Sequence, residues 1–379
     1  MTTATSHKGT ALMKKPHVAH VVESFGAGCL TSVATLCRMM RDDFRFSVIH
    51  SMRPETPANF RELFPPEVEF HYLPEMENRI HPLKNFRAWR ALRAALKNTA
   101  PDVLHCHSSI AGFLGRMAAF SGAWPVLYSP RGYSFLRDNI GPFNRAACTA
   151  MEWLAARGNS ITVACGEEEY ACATRLAPKE KCFFIPNALD LAAIDACAGA
   201  PAEKAPGEPL LAGTCGRLSL QRNYAYFSKV AKLVDEARWT WLGAPEATGL
   251  LPESVARTGW LTREQALSGM AKLDIYVHSS AWDGLSNTLL EAMALAKPVV
   301  ATDIPANRAV VEDGVTGFLC RDEAHMAETV KKLLADAGLR ARVGRAARAY
   351  IEEKHDAAKV YQNFGALYRR LAGAGHAAG

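Results

Sequence analysis

The segment LDIYVHSSAWDGLSNTLLEAMALAKPVVATD, residues 273–303, contains the pattern that decides the fold. Its apolar beginning, Leu273 to Ser279, has the length and composition of a buried strand. A turn-rich loop follows over residues 280–286, and Asn287 to Ala296 has the composition of a helix. The run PVVATD then supplies a second strand. A strand, a helix and a further strand in this order are typical of a parallel sheet in an α/β protein.

The same alternation extends through both halves of the chain. The predicted strands are HVAHVVES, FRFSVIHS, PDVLHCHSS, WPVLYSPRGYS, SITVAC and KCFFIPN in the first half, and PLLAGTCGRL, WTWLG and GFLC besides those above in the second. We therefore predict two Rossmann-like, doubly wound domains that face one another across a ligand-binding cleft. The first covers residues 1–190 and the second residues 210–357. An irregular linker covers 191–209, and a last helix in 358–379 packs back on the first domain.

Length, charge and composition limit the classes of function. The 379 residues exceed one compact core, and no apolar run approaches the roughly 20 residues of a membrane-spanning helix. The beginning, MTTATSHKGTALMKK, has no signal-peptide core and the ten cysteines form no CxxC pair, so we expect a cytoplasmic protein with reduced thiols. In residues 1–190, 22 Lys and Arg minus 17 Asp and Glu leaves +5 of the net +6. This excess suits an anionic small-molecule partner and is too dispersed for nucleic acid.

Two carboxylates, Asp283 and Glu291, flank the start of the predicted helix. With Ser286 or Asn287 as the N-cap, the free backbone N–H groups of this helix point at the cleft and attract an anion. Gly284 lets a ligand approach the backbone closely. A diphosphate with a hydroxyl-bearing sugar on each side fits this arrangement. The alternative is that Glu291 complements the helix dipole and Asp283 caps the loop.

The neighbouring residues favour the ligand-binding interpretation. WDGLSNTLLEAMALAKPVVATD closely resembles the signature of the family 4 retaining glycosyltransferases of GT-B fold, in which an acidic residue and a glutamate precede an Ala-Met-Ala helix and a Pro-Val-Val strand. The resemblance covers most of the chain. Four further motifs occur in the family's order, namely PDVLHCHSSIAGFLGR, IPNALD, GTCGRLSLQRN and EDGVTGFL.

The resemblance implies roles for individual residues. Arg217 and Arg222 neutralise the donor diphosphate in place of a metal, so neither a metal ion nor a cofactor is expected. Asp283 contacts hydroxyls of the donor sugar, and Glu291 binds the ribose hydroxyls. Trp260 lies near the nucleotide base, with simple packing as the alternative. The other donor-binding positions are in the first-domain turn and at the start of the acidic-motif helix: Gly26, Gly28, Gly284, Leu285, Ser286, Asn287 and Thr288.

The chain departs from the family pattern at four positions. Asp283 is one methylene shorter than the usual glutamate, Arg222 replaces a lysine, and Ala188 replaces the glycine of an Asn-Gly turn. Arg131, in SPRGYSF, stands where the family often has histidine. Arginine stays protonated and cannot act as a base, so we group Arg131 with the catalytic residues as a ligand for phosphate or carboxylate. A structural salt bridge is the alternative role for Arg131.

Two other patterns bear on cofactors. His105 and His107 alternate onto one face of their strand as a metal pair would, but the sequence offers no convincing third ligand. We expect His107 to line the cleft on the acceptor side and His105 to be structural. FGAGCLT resembles a dinucleotide fingerprint only superficially, because Thr31 occupies the third glycine position and no acidic residue ends the second strand. An NAD enzyme is therefore not favoured.

The predicted helix from Leu83 to Lys97 is basic and amphipathic, with the apolar residues Phe86, Trp89, Leu92 and Leu96 on one side. An ordinary surface helix with solvated charges is the favoured interpretation. Peripheral contact with the anionic inner membrane surface is a secondary hypothesis.

The sequence thus predicts a glycosyltransferase of hexosyltransferase type. By resemblance it moves a sugar from a nucleotide diphosphate to a hydroxyl of a glycan or lipid-linked acceptor, with retention of configuration. The expected setting is bacterial surface polysaccharide or lipopolysaccharide synthesis. A sugar-nucleotide epimerase or hydrolase, and a non-catalytic sugar-nucleotide-binding protein, share the same diphosphate site and remain alternatives.

Overall fold

A computed structural model describes residues 15–23, 25–53, 56–77, 81–120, 122, 124–136, 140–199 and 208–377. The beginning of the chain, where a signal peptide was judged absent, and residues 200–207 of the predicted linker lie outside these ranges. The described residues form two parallel sheets, each with helices on both faces. The predicted α/β fold with two Rossmann-like domains is therefore confirmed.

The first sheet contains β1 (His17–Val22), β2 (Arg45–His50), β3 (Glu69–Tyr72), β4 (Val103–His107), β5 (Val126–Ser129), β6 (Ser160–Ala164) and β7 (Cys182–Phe184). These strands pair in parallel in the order β3-β2-β1-β4-β5-β6-β7. The central strands β1 and β4 are fully buried, as expected where helices cover both faces of a parallel sheet. The chain reverses direction across the sheet between β1 and β4, so a ligand site is expected at their carboxyl ends.

Five helices belong to this sheet: α1 (Ala27–Met40), α2 (Pro82–Thr99), α3 (Ser109–Ala118), α4 (Pro142–Ala155) and α5 (Glu167–Leu176). One face of the sheet forms an apolar core with α1, and the other face forms a second core with α2 and α3. The helix α2 buries Leu92 and Leu96, two members of its predicted apolar side. Phe86, on the same predicted side, stays 56% exposed and stacks on Trp89.

The second sheet contains β8 (Leu211–Cys215), β9 (Arg238–Leu242), β10 (Val255–Arg257), β11 (Ile275–His278), β12 (Val299–Thr302) and β13 (Phe318–Cys320), in the order β10-β9-β8-β11-β12-β13. Its helices are α6 (Leu191–Ala198), α7 (Tyr224–Leu233), α8 (Arg263–Ala271), α9 (Asn287–Ala294), α10 (Pro305–Arg308), α11 (Glu323–Ala335) and α12 (Ala337–Lys354). Here the chain reverses between β8 and β11. The carboxyl ends of these two strands carry Arg217 and the acidic motif.

The helix α6 occupies the first part of the segment that was expected to be an irregular linker. Asp190 caps it by accepting a hydrogen bond from the backbone N–H of Ala193 at 3.0 Å. Ile194 is fully buried, and Asp195 pairs with Arg348 of α12 at 2.6 Å. Residues 191–198 therefore pack on the second domain, where Leu191 and Cys197 join Ile194 at the same apolar core.

The last helix, α13 (Ala357–Ala377), packs on the first domain as predicted. Tyr361, Phe364 and Tyr368 enter the core between α1 and the first sheet. The chain crosses between the domains twice, and the two crossings pair with each other: Leu189 N donates to His355 O at 2.8 Å, and Ala357 N to Leu189 O at 2.9 Å. Among the described helices, none has the length and hydropathy needed to cross a membrane.

Candidate active site

The predicted site residues gather where the two sheets reverse direction. Gly26 and Gly28 follow β1, Arg217 follows β8, and Asp283 follows β11. The carboxyl ends of parallel strands are the usual position for ligands in such folds. The strand order of both domains therefore accounts for why motifs that lie far apart in sequence meet at one cleft.

Arg222 lies at the centre of the second-domain wall. Its guanidinium donates to Ser280 Oγ at 3.3 Å, to Ser286 Oγ at 3.1 Å and to Thr288 Oγ1 at 3.1 Å. It also lies 3.5 Å from Asp283 Oδ2. Three of these four partners are neutral hydroxyls, so among them only the Asp283 carboxylate offsets the positive charge of Arg222. The arrangement favours an additional anion in the cleft.

Asp283 is a largely buried carboxylate whose two oxygens have different surroundings. Its Oδ1 accepts from Gly284 N at 2.9 Å and from Gln221 Nε2 at 3.4 Å. Burial raises the pKa of Asp283, but His278 and Arg222 outweigh burial and hold the pKa below its usual value. Asp283 Oδ2 has no hydrogen-bond partner among the described residues. This oxygen is buried between Arg222, 3.5 Å away, and His278, 3.8 Å away, so a sugar hydroxyl reaches it only after these side chains move.

Glu291 pairs with a residue that the motif did not indicate. Its Oε1 accepts from Arg263 Nη2 at 2.9 Å, and the carboxylate is nearly buried. Burial raises the pKa of Glu291, and the Arg263 charge opposes that rise. Arg263 is the first residue of α8, where Thr262 and Gln265 form a capping box. This box fixes the end of the helix that presents Arg263 to the carboxylate.

The two domains approach each other closely at Gly28 and Asn287. A Cβ atom on Gly28 would lie 2.9 Å from Asn287 Nδ2, which is too short for an ordinary contact. Both residues lie in the first turn of their helices, so the N-termini of α1 and α9 meet across the cleft. Ser286 is the N-cap of α9, but its hydroxyl accepts from Arg222 and caps no helical N–H. The free N–H groups of α9 therefore complement a bound phosphate.

Arg131 is held at the domain crossing. Its Nη1 donates to Asn187 Oδ1 at 2.8 Å, and its φ of 56° is unusual for a residue other than glycine. The buried carboxylate of Glu169 accepts from the backbone N–H groups of Gly132 at 2.6 Å and Cys165 at 2.7 Å. Glu169 thereby fixes the turn that contains Arg131. The Nε of Arg131 has no hydrogen-bond partner in the described part of the chain, and the Arg131 residue lines a small pocket with Asn187 and Tyr361.

Three of the predicted positions lie at the rim of the cleft. Arg217 is exposed, and the Trp260 side chain is 66% exposed, three residues before Arg263. Apart from the two chain neighbours of Gly284, no described residue has an atom within 4 Å of a Cβ placed on it. The carbonyl oxygen of Leu285 accepts from Asn187 Nδ2 at 3.2 Å, which ties this loop to the first domain. The loop thus leaves space beside Gly284, while the hydrogen bond from Asn187 fixes the position of Leu285.

His107 does not line the cleft as expected. His20 of β1 joins His105 and His107 of β4, and one ring nitrogen of each lies within 4.8 Å of the others. All three side chains are fully buried. The ring of His107 turns inward, where its Nε2 lies 2.9 Å from His20 Nδ1 and its ring centre lies 3.9 Å from that of His105. His20 is the third histidine that the sequence analysis did not identify.

The hydrogen bonds of this cluster disfavour metal coordination. His105 already uses both ring nitrogens, with Tyr368 Oη at 2.6 Å and Ser129 Oγ at 3.0 Å. The direct His20–His107 hydrogen bond occupies the position between their nitrogens that an ion about 2 Å from each would require. We therefore assign the cluster to packing between the first sheet and α13, which supports the structural role expected for His105.

Several contributors to the site were not predicted from sequence. They are Asn187 and Glu169 in the first domain, and Gln221, Arg263 and His278 in the second. A signal existed for His278, because HSS ends the strand before the acidic motif just as it ends β4. The motif IPNALD also contains Asn187, next to the Ala188 that replaces the family's glycine.

Two parallel α/β domains that face a cleft lined by arginines and helix N-termini define the GT-B class of fold. Sucrose-phosphate synthase from Thermosynechococcus elongatus superposes with a TM-score of 0.78 at 15% identity, covering 95% of this chain and 100% of that chain. Anabaena Alr3699/HepE in complex with UDP and glucose has a TM-score of 0.76 at 17% identity, with 94% and 100% covered. At these identities the similarity shows the fold alone.

Sequence comparisons identify the family. Residues 27–188 match the model described as glycosyl transferase 4-like domain, and residues 210–336 match that of glycosyl transferases group 1. The UDP-Gal:alpha-D-GlcNAc-diphosphoundecaprenol alpha-1,3-galactosyltransferase of Escherichia coli is 26% identical over 282 residues, which cover 66% of this chain and 70% of that protein. The chain belongs to the group 1 glycosyltransferases and is a transferase enzyme.

Proposed function

We propose that this glycosyltransferase takes a sugar from a nucleoside diphosphate and transfers it, with retention of configuration, to a hydroxyl of a glycan or lipid-linked acceptor. The observation that carries the proposal is the setting of Arg222, whose charge is shared among three hydroxyls and one carboxylate beside the α9 N-terminus. The E. coli relative is named for a UDP-sugar donor and a diphosphoundecaprenol-linked acceptor, which supports both substrate classes.

In the proposed reaction, charge develops on the departing diphosphate. Arg222, Arg217 and the N-termini of α1 and α9 stabilise that charge, which is electrostatic preorganisation. The Asp283 carboxylate accepts from a hydroxyl of the donor sugar, and the Glu291 carboxylate accepts from the ribose hydroxyls. The bond between the anomeric carbon and phosphate breaks, and the acceptor oxygen bonds on the same face. The leaving phosphate oxygen takes the acceptor's proton, so no protein nucleophile is required.

We propose that the arginines supply the positive charge that divalent ions supply in other transferases. Turnover should then persist in excess EDTA, and loss of turnover on chelation would contradict this part of the proposal. The setting we propose is surface polysaccharide assembly in the cytoplasm. The support is the family resemblance together with the lipid-linked acceptor named for the E. coli relative.

The proposal is tested with a panel of UDP-, GDP- and dTDP-sugars, each with and without a lipid-diphosphate sugar or oligosaccharide acceptor. The donor that raises the melting temperature identifies the nucleotide sugar, because specific binding stabilises the folded state. Product formation only with acceptor, in the donor's anomeric configuration, supports the proposal. Donor consumption without acceptor indicates an epimerase or hydrolase, and binding without turnover indicates a non-catalytic protein.

Variants of the arginines test the assigned roles. We expect Arg222→Ala to lower turnover about 10²-fold or more, by analogy with loss of an oxyanion donor. Arg222→Lys keeps the charge but cannot reach all three hydroxyls, so its loss should be smaller. Arg217→Ala should also lower turnover strongly, although Arg217 is exposed. Arg342→Ala, on an exposed part of α12, is the control. Unchanged turnover in both Arg222 variants and Arg217→Ala would refute these roles.

A further inference from the structure

The outer side of the first domain exposes an apolar face on α4. Phe143, Ala146, Ala150 and Leu154 recur at helical spacing, and all are exposed. Phe143 is 84% exposed and Leu154 is 47% exposed. Trp153, beside this stripe, is 48% exposed, with the Arg157 guanidinium 3.3 Å from its ring centre. A helix that turns its apolar stripe away from the core normally packs on something else.

The opposite side of α4 is anchored to the core. Glu152 accepts from Arg116 Nη2 at 2.6 Å and from Tyr128 Oη at 2.8 Å, and all three side chains are buried. Ala155 is also fully buried. The orientation of α4 is therefore set by a buried ion pair, and its apolar stripe faces outward as a consequence of that anchor.

The helix α2 presents a second exposed apolar group on the same side of the sheet. Both α2 and α4 pack on α3. Leu83 is 71% exposed and Phe86 is 56% exposed, although Leu92 and Leu96 on the other side of α2 are buried. Phe120, which follows α3, is 54% exposed and lies beside the end of α4, 3.5 Å from where a Cβ of Gly158 would be. The exposed apolar side chains therefore occupy two helices that flank α3.

The charges on these helices are of one sign at the surface. The α2 sequence PLKNFRAWRALRAALKNT contains five basic residues and no acidic residue. In α4 the single acidic residue is Glu152, which is buried against Arg116, and the basic residues are Arg145 and, just after the helix, Arg157. Large apolar side chains among cations are the composition of a surface that inserts between anionic lipid headgroups.

We propose that the α2–α4 face, formed by the exposed side chains of Leu83, Phe86, Arg87, Arg90, Phe143, Arg145, Trp153, Leu154 and Arg157, binds the surface of an anionic lipid bilayer. A second copy of this chain is a poorer occupant, because a symmetric dimer would place the same cations against each other. The inference goes beyond the proposed function, since it depends on α2 and α4 and on no residue of the cleft.

The test is co-sedimentation of the full chain with vesicles of phosphatidylcholine alone or mixed with phosphatidylglycerol. We expect binding to the mixed vesicles only. Arg87→Glu/Arg90→Glu should weaken it about 30-fold or more, because each lost cation near an anionic surface costs about a factor of five. Phe143→Ser/Trp153→Ser should weaken it about tenfold or more by removing buried apolar area.

Matched changes on the second domain are the controls. Arg342→Glu/Arg345→Glu makes the same change of charge, and Leu233→Ser/Leu250→Ser removes exposed apolar side chains there. Both should bind vesicles as the unchanged chain does. The proposal is wrong if the α2 and α4 variants also bind normally, or if sedimentation shows a dimer that Phe143→Ser/Trp153→Ser dissociates. Melting temperatures and nucleotide binding of each variant show separately whether fold and cleft are intact.

Discussion

Asn187 Nδ2 donates to the carbonyl oxygen of Leu285 at 3.2 Å, and this bond joins the crossing between the domains to the loop of the acidic motif. The same amide accepts from Arg131 at 2.8 Å, and the backbone carbonyl of Asn187 pairs with His355 Nδ1 at 2.7 Å. One side chain therefore connects the Arg131 turn of the first domain, the second crossing and the donor loop. A change in the angle between the two domains therefore has to break or rearrange these hydrogen bonds.

Replacing Asn187 with Asp separates the two side-chain bonds. The carboxylate still accepts from Arg131 but cannot donate to Leu285, and it places an anion against a carbonyl oxygen. We expect turnover to fall about tenfold, since a lost hydrogen bond of this kind is worth about 1 to 1.5 kcal/mol. Steady-state kinetics measure the effect. Asn159→Asp, which adds the same charge at an exposed position, is the control. Full activity of Asn187→Asp would show that the Leu285 bond is dispensable.

Two glycines allow stability and catalysis to be separated. A Cβ on Gly28 would meet only the end of the Asn287 side chain, which can rotate away, so Gly28→Ala should change the free energy of unfolding by less than about 1 kcal/mol. A Cβ on Gly344 would lie 2.1 Å from the Ala296 carbonyl oxygen, which belongs to the backbone and cannot yield cheaply.

We therefore expect Gly344→Ala to lower stability by more than about 2 kcal/mol in urea unfolding. Gly28→Ala should instead raise the KM for the nucleotide sugar, because its methyl group pushes the Asn287 side chain into the space at the N-terminus of α9 where the diphosphate is proposed to bind. Asn287→Ala in the same chain should restore part of that space. If Gly28→Ala leaves the KM unchanged, the diphosphate does not bind beside Asn287 at the N-terminus of α9.

The buried histidine cluster should make stability depend on pH. Burial lowers the pKa of His20 from 6.5 to about 3 and the pKa values of His105 and His107 well below their usual range, with Arg131 contributing. The unfolded chain therefore binds more protons than the folded chain below pH 6.5. Stability should fall as the pH falls from that value, by up to about 1.4 kcal/mol per pH unit for each histidine.

Urea unfolding between about pH 7.5 and pH 5 measures this dependence, in a range where the carboxylates of lowered pKa stay ionised. His20→Asn should be less stable at the upper end, because it breaks the bond to His107, and should show a shallower slope below pH 6.5. A slope equal to that of the unchanged chain would mean that His20 is already protonated in the folded state.

The sequence predicted the fold and the second-domain motif because both depend on local patterns. Strand and helix alternation identified eleven of the strands, whereas β3 and β10 are short edge strands whose residues are partly exposed and lack a continuous apolar run. The helix α6 was missed because its Ala-rich composition resembled a linker. Arg222 and Asp283 were predicted because they lie in motifs with fixed spacing.

The remaining contacts could not be predicted because they join residues distant in sequence. Asn187 and Leu285 are 98 positions apart, and no spacing rule links them. The inward turn of His107 depends on His20, 87 positions away, and on α13 at the end of the chain. The buried pair Arg116–Glu152 determines which face of α4 is exposed. Only the three-dimensional packing reveals that pair.

The pair Arg263–Glu291 provides the last prediction. Both side chains are largely buried and 2.9 Å apart, so removing one charge leaves the other unpaired in a medium that solvates it poorly. Arg263→Gln should therefore destabilise the fold by about 3 kcal/mol or more, and it should raise the pKa of Glu291 further, since Arg263 opposes the effect of burial. Glu291→Gln should cost a similar amount.

The double variant should cost less than the sum of the two single variants, because it leaves no unpaired charge. Unfolding in urea gives this coupling energy, and donor KM values of the same four proteins give the effect on binding. We expect Glu291→Gln and the double variant to share one raised KM, because the ribose loses its carboxylate in both. Strictly additive stabilities would show that the two charges do not depend on each other, and a normal KM in Glu291→Gln would remove Glu291 from the ribose site.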